Sequence, residues 1–267
     1  MVINMTDAQI YDGLRKLNLR GCAEEYQYQC QHPELYRDMS FDSRLTVMID
    51  KETSRRETKK VQTLIRKADF KYPKASAEDI LYYEGRHLDK AKMLKYADCS
   101  FIDQHMNLIF QGPTGSGKTW ISCAIGISAC RKTRKVKYLR APELLDELML
   151  AKGTGDLHNY INEFRRYECI IIDDWLIAAL NVDETLNMLE FLESCELHCS
   201  LIFCTQYPTT SWYERINSNE ENKPVSEAVF ERIVFNADDP IELSGETSVR
   251  ELLWKERTGK LRRTSNA

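Results

Sequence analysis

The stretch Gly112-Pro113-Thr114-Gly115-Ser116-Gly117-Lys118-Thr119 constrains this chain more than any other, because it matches the phosphate-loop pattern G-x-x-x-x-G-K-[ST] at every fixed position. Its flanks have the required order. Asn107 to Phe110 is an apolar run suited to a buried strand, and Trp120 to Cys130 continues as a helix. Glycines let the backbone wrap an anion with no Cβ in the way, and N–H groups at the helix start point at it with the helix dipole behind them. Lys118 is therefore the candidate for the β- and γ-phosphates of ATP, and the Thr119 hydroxyl for Mg²⁺. Gly112, Pro113, Thr114, Gly115, Ser116, Gly117, Lys118, Thr119 and Trp120 form the predicted nucleotide site. The competing reading is a chance glycine-rich turn, which the flanking strand and helix disfavour.

A second landmark is Cys169-Ile170-Ile171-Ile172-Asp173-Asp174, an apolar strand ending in two carboxylates. Beside a phosphate loop, such a strand end puts Asp173 in the Mg²⁺ shell, usually through water. Asp174 stands where a Glu often polarises the attacking water. The alternative is a strand-end loop with two solvated acids. Asp is one methylene shorter than Glu, and a misplacement of about 1 Å can cost roughly a hundredfold in rate, so slow hydrolysis is predicted. Ser200 to Gln206 is a further buried run, expected between the phosphate-loop strand and the Asp173 strand. That order aims Thr205 or Gln206 at the γ-phosphate or the water, unless the strand simply ends in a turn before Pro208. Arg232 and Arg250 follow as candidate cations for transferred phosphate charge, within the subunit or across a subunit boundary.

With 267 residues, 43% hydrophobic and 29% charged, the chain can bury a core, and its alternating strands and helices predict an α/β fold with a parallel sheet. No run approaches a membrane span and the start lacks the marks of a signal peptide, so the expected location is cytoplasmic. Nine cysteines occur without a C-x-x-C pair; Cys195, His198, Cys199 and Cys204 suggest a metal cluster, but core thiols are the simpler reading. The net charge of −4 does not by itself point to nucleic acid, whereas its distribution does. Arg55, Arg56, Lys59, Lys60, Arg66 and Lys67 lie in a basic helical stretch that opens after Ser40, a plausible N-cap, and a basic tail holds Lys255, Arg257, Lys260, Arg262 and Arg263. Such a run is either a solvated face or a surface for DNA phosphates. The organisation read from these features is an N-terminal helical domain (1–73), a connector (74–105), a nucleotide-binding core (106–250) and the tail (251–267).

Gly112 to Thr119, Ile170 to Asp174, Cys204-Thr205-Gln206, Phe230-Glu231-Arg232-Ile233 and Gly245 to Arg250, taken in order, resemble the IstB-like branch of AAA+ ATPases, transposition helpers related to the helicase loader DnaC. Leu14 to Glu24 resembles that family's N-terminal start, and Met39 to Leu45 its next helix opening. The resemblance implies ATP-driven assembly into a homo-oligomer, binding and deformation of duplex DNA, and recruitment of a cognate transposase. It implies an arginine finger acting in trans at Arg232, a second sensor at Arg250 and a first sensor at Gln206 or Thr205. The short remainder after the phosphate loop implies no full C-terminal lid. Three positions depart from the family pattern: Asp174 replaces Glu, Gln206 stands where Asn is common, and Ser248-Val249 replaces Ser-Tyr before Arg250. Other readings are a helicase loader with a replicative helicase as partner, a small-molecule kinase, and a nucleotide-dependent binding module with little turnover. For the kinase, no segment resembles an acceptor pocket or lid.

Overall fold

Apolar runs without alternation demand strands buried on both faces, and the computed structural model provides that environment. It describes residues 5–82, 86, 88–216, 223–244 and 248–258. The chain divides into two units, 1–63 and 64–267.

The first unit is helical, as the sequence predicts. Helix α1 (Asp7–Lys16) starts in a capping box, with Thr6 accepting from the Gln9 backbone and the Gln9 side chain accepting from the Thr6 backbone. Helix α2 (Arg20–Gln31) stops before a single 3₁₀ turn at Pro33–Tyr36. Helix α3 (Phe41–Ala68) begins under Ser40, whose hydroxyl accepts from the Ser43 backbone at 3.2 Å, and it runs on past the end of the unit. Gly21 permits the close approach of α2 to α3: a Cβ there would lie 2.8 Å from the Glu52 Cα. Glu52 is only 5% exposed. Its carboxylate accepts from the Gly21 N–H at 2.6 Å and pairs with Arg55 at 3.0 Å and Arg56 at 2.6 Å. The Arg55 hydrogen bond leads in pulling its pKa down from the ordinary 4.5 to about 2, against a burial effect that raises it.

In the second unit, helices α4 (Lys90–Ala97) and α5 (Ser100–Asp103) precede β1 (Leu108–Gln111) and α6 (Lys118–Arg131). Next come β2 (Val136–Arg140), α7 (Ala141–Gly153), α8 (Leu157–Asn162), β3 (Cys169–Trp175), α9 (Val182–Cys195) and β4 (Ser200–Thr205). The described chain ends with α10 (Trp212–Ile216), α11 (Lys223–Val234), β5 (Ile241–Glu242) and α12 (Val249–Arg257). The sheet is wholly parallel in the order β2-β3-β4-β1-β5. The buried run that forms β4 therefore does lie between the phosphate-loop strand and the Asp173 strand. Successive residues feed opposite cores: Cys169 and Ile171 pack with α6, while Ile170 and Ile172 join the cluster formed with α7, α9 and α11. Helix α6 is buried on nearly all sides, and Gly126 lets it pass between Phe70 and Ile171; a Cβ there would meet Phe70 at 2.6 Å. The fold is that of an AAA+ P-loop NTPase, and α12 alone follows the sheet among the described residues. Ser218–Asn222, Gly245–Thr247 and the tail cations Lys260, Arg262 and Arg263 lie outside the described residues.

Candidate functional site

The phosphate loop joins β1 to α6 at the carboxyl edge of the sheet. Gly112, Gly115 and Gly117 hold φ of 147°, 83° and 94°, and a Cβ on Gly112 would lie 2.3 Å from the Leu243 carbonyl oxygen. No other residue fits there. Helix α6 starts with no side-chain cap and no acidic residue in its first turn, which leaves its positive end for an external anion. Lys118 is 8% exposed and donates to the carbonyls of Gly112 at 2.7 Å and Pro113 at 2.9 Å. Burial lowers its pKa, with Asp173 and Asp174 among the groups opposing that shift. Ser116 Oγ is buried and has no hydrogen-bond partner among the described residues. A buried cation held only by neutral carbonyls, an uncapped helix start and an orphaned hydroxyl all suit phosphate oxygens.

Asp173 continues the α6-facing side of β3 and is 1% exposed. Thr119 Oγ1 lies 3.0 and 2.9 Å from its two oxygens, and the Tyr138 hydroxyl donates to Oδ2 at 2.8 Å. Burial and this carboxylate push the Tyr138 pKa far up, so it acts as a donor. The Lys71 ammonium stands 3.7 Å from the same Oδ2. Thr119 and Asp173, predicted to share Mg²⁺, are thus brought together; Tyr138 and Lys71 are additions that no motif flags. The hard oxygen pair fits a divalent ion of the Mg²⁺ type.

Asp174 turns the other way. The β3–β4 register shifts between Ile172 and Trp175, and Asp174 takes φ 57°, a left-handed conformation in which Asp is enriched over most side chains. This gives a backbone reason for Asp at a position where the resemblance leads to an expectation of Glu. Its Oδ2 accepts from Arg140 Nε at 3.1 Å and Nη2 at 3.0 Å, and Arg140 also binds Glu143 at 3.0 Å.

The Thr205 hydroxyl is fully buried and accepts from the Tyr207 N–H at 3.1 Å, closing the turn after β4. Gln206 is exposed at the same edge. Arg250 is brought to the phosphate loop: Val249 N–H donates to the Gly115 carbonyl at 3.0 Å, and a Cβ on Gly115 would lie 3.9 Å from the Arg250 Cβ. Arg232 stands elsewhere. It pairs with Glu193 at 3.0 Å and Glu196 at 3.6 Å, in the wall of a cavity of about 520 Å³ with Asn107 and Leu201, where β1 and β4 begin. A second cavity of about 390 Å³ opens beside the phosphate loop between Ile80, Leu81, Arg86, Gly117, Trp120 and Val249. Arg86 donates to the Ser116 carbonyl at 2.9 Å. Of these wall residues only Gly117 and Trp120 are foreseen by the motif.

The predicted DNA residues all lie on α3. Arg55 and Arg56 are engaged by Glu52, whereas Lys59, Lys60, Arg66 and Lys67 are exposed and form no ion pair among the described residues. Seven-residue spacing places Lys59 with Arg66, and Lys60 with Lys67, on one helix face. Eight of the nine cysteines are buried thiols; all nine are unpaired, and Cys30 is exposed. Among the described residues no cluster of His, Cys, Asp and Glu can hold a metal, which removes the suggested Cys195–His198–Cys199–Cys204 site. No helix among them is long and apolar enough to cross a membrane.

The family model described as IstB-like ATP binding protein matches residues 13–252. The chain belongs to this family. A Pseudomonas fluorescens protein assigned as the ATP-binding protein of insertion sequence IS1162 is 35% identical over 198 residues, covering 74% of this chain and 85% of the relative. The Sinorhizobium fredii protein y4pL, assigned as an insertion-sequence ATP-binding protein, is 34% identical over 236 residues, covering 88% and 94%. In fold, this IstB-like chain is similar to AMPPCP-bound DnaA from Aquifex aeolicus, with a TM-score of 0.56 and 16% identity over 74% of this chain and 59% of that one. It is also similar to DnaI, with a TM-score of 0.52 and 19% identity over 64% and 89%. The chain is accordingly an AAA+ ATPase of the IstB-like class, and ATP binding follows from the family.

Proposed function

We propose that this chain is a Mg²⁺-dependent ATPase that assembles with copies of itself on duplex DNA and helps a transposase select or remodel its target. The observation that carries the reading is the meeting of Lys118, Thr119, Asp173 and Arg250 at one edge of the sheet; the insertion-sequence assignment of the relatives supports the partner. Lys118 exchanges its two loop carbonyls for phosphate oxygens, and the cavity beside Trp120 takes the base. Thr119, with Asp173 behind it, would hold Mg²⁺, which would supply charge neutralisation at the phosphates. Asp174, once released by Arg140, polarises the attacking water, and Gln206 or Thr205 orients it. Arg232 of a neighbouring subunit and Arg250 complete the site, so that assembly depends on the γ-phosphate. The exposed cations of α3 hold DNA phosphates without reading bases.

The test is particle mass with ADP, with ATP and with a nonhydrolysable analogue, each with and without duplex DNA. A large assembly that appears only with the triphosphate and is strengthened by DNA is the expected result. A monomer under every condition removes the trans-acting Arg232 and the oligomer together. Capture by the transposase against a replicative helicase then decides between a transposition helper and a helicase loader.

A further inference from the structure

Asp173 is nearly fully buried, yet the cation closest to it comes from outside the nucleotide-binding motifs. Lys71 Nζ lies 3.7 Å from Asp173 Oδ2, with its side chain 43% exposed. Two contacts hold the segment that carries that ammonium. Phe70 is packed on the Gly126 backbone of α6, and Asp69 pairs with Lys137 of β2 at 3.8 Å. The segment is thus clamped to α6 on one side and β2 on the other. The Lys71 side chain lies between Asp173 and solvent, with part of its surface exposed.

Holding a carboxylate in a buried site against two hydroxyls costs solvation free energy, and a cation within 4 Å offsets that cost. A divalent ion on Thr119 and Asp173 supplies that compensation better and repels an ammonium at the same oxygen. We propose that Lys71 is the resident counter-cation of the metal site: it neutralises Asp173 when no divalent ion is bound and is displaced into solvent when nucleotide brings one. This rests on the reading that Thr119 and Asp173 hold Mg²⁺. The exchange occurs three residues after α3 ends at Ala68, so the metal state is registered on the segment that follows the basic helix.

Two measurements on the full chain test this. A brief pulse of an amine-acylating reagent, read by mass spectrometry, reports Lys71 against the exposed Lys74 in the presence of a nonhydrolysable ATP analogue, with EDTA or with Mg²⁺. Lys71 labelling rises on adding Mg²⁺ while Lys74 stays constant. Separately, Lys71→Gln lowers the Mg²⁺ concentration that half-saturates binding of the nucleotide analogue by about two- to fivefold, the scale of a partly exposed ion pair, and Lys71→Arg restores the original value. Labelling that is unchanged or falls, or a Lys71→Gln protein with an unchanged or raised Mg²⁺ requirement, overturns the proposal; a rise in that requirement makes Lys71 a phosphate ligand instead. Wild-type protein that binds the analogue with normal Mg²⁺ dependence while Lys71 makes no difference sinks only this inference. Wild-type protein that binds no nucleotide at any Mg²⁺ concentration removes both it and the functional reading.

Discussion

Arg140 grips Asp174 through two guanidinium nitrogens, Nε at 3.1 Å and Nη2 at 3.0 Å, both on the same carboxylate oxygen. The residue we propose as the general base is therefore restrained by the end of the neighbouring strand. Arg140→Ala is expected to raise ATP turnover by about three- to tenfold, the worth of a charge-assisted pair at a partly exposed site. Asp174→Asn in the same background should erase the gain. If Arg140→Ala slows turnover instead, the arginine supports the base rather than restraining it.

Sequence order made the architecture legible where chemistry and periodicity agreed. The run Cys169–Ile172 has apolar side chains at consecutive positions, which only a strand covered on both faces accommodates, and the loop at Gly112–Thr119 admits few residue choices. What stayed hidden depends on contacts between residues distant in sequence. Tyr138 looks like an ordinary strand aromatic, and only the pairing of β2 with β3 brings its hydroxyl to Asp173. Arg86 and Lys71 precede the core and carry no motif, so nothing in their local pattern distinguishes them from surface cations. Glu52 precedes Arg55 and Arg56 at helical spacing, but nothing local in the sequence distinguishes it as the buried partner of Gly21.

The Tyr138 hydroxyl is one of three groups that satisfy Asp173. Tyr138→Phe leaves the ring in place and removes a single donor to a buried carboxylate, at an expected cost of about 1–3 kcal/mol. Urea unfolding in EDTA measures it. In an Asp173→Asn background the same substitution should cost much less, since the two residues act as one unit. Equal losses in both backgrounds refute a direct Tyr138–Asp173 contribution.

Glu52 ties the first unit to an acid limit. Its folded pKa of about 2 lies below the ordinary 4.5, so its contribution is complete above about pH 4.5 and disappears as the pH falls through that value towards 2. Glu52→Gln should therefore be clearly less stable than the wild type near neutrality, and the gap between their thermal midpoints should close on acidification. A gap that stays constant from neutral pH to about pH 3 shows that the loss comes from packing rather than from charge.

Arg232 poses the sharpest question about assembly, because its guanidinium is already spoken for within the subunit. It reaches Glu193 at 3.0 Å, Glu196 at 3.6 Å and the Ala228 carbonyl at 3.3 Å. A finger acting on a neighbour must leave the two glutamates or present its remaining N–H groups past them, so the glutamates compete with the triphosphate for the same cation. Arg232→Ala should keep nucleotide binding and lose both assembly and hydrolysis. Glu193→Gln with Glu196→Gln should act in the opposite direction, strengthening ATP-dependent association by up to about thirtyfold per interface, as the two partly exposed pairs are each worth no more than about 1 kcal/mol. Sedimentation with the nonhydrolysable analogue reads both variants. An Arg232→Ala protein that assembles and turns over ATP normally assigns the finger to another residue, and a double glutamate variant that assembles less well makes Glu193 and Glu196 a scaffold that aims Arg232 rather than a brake upon it.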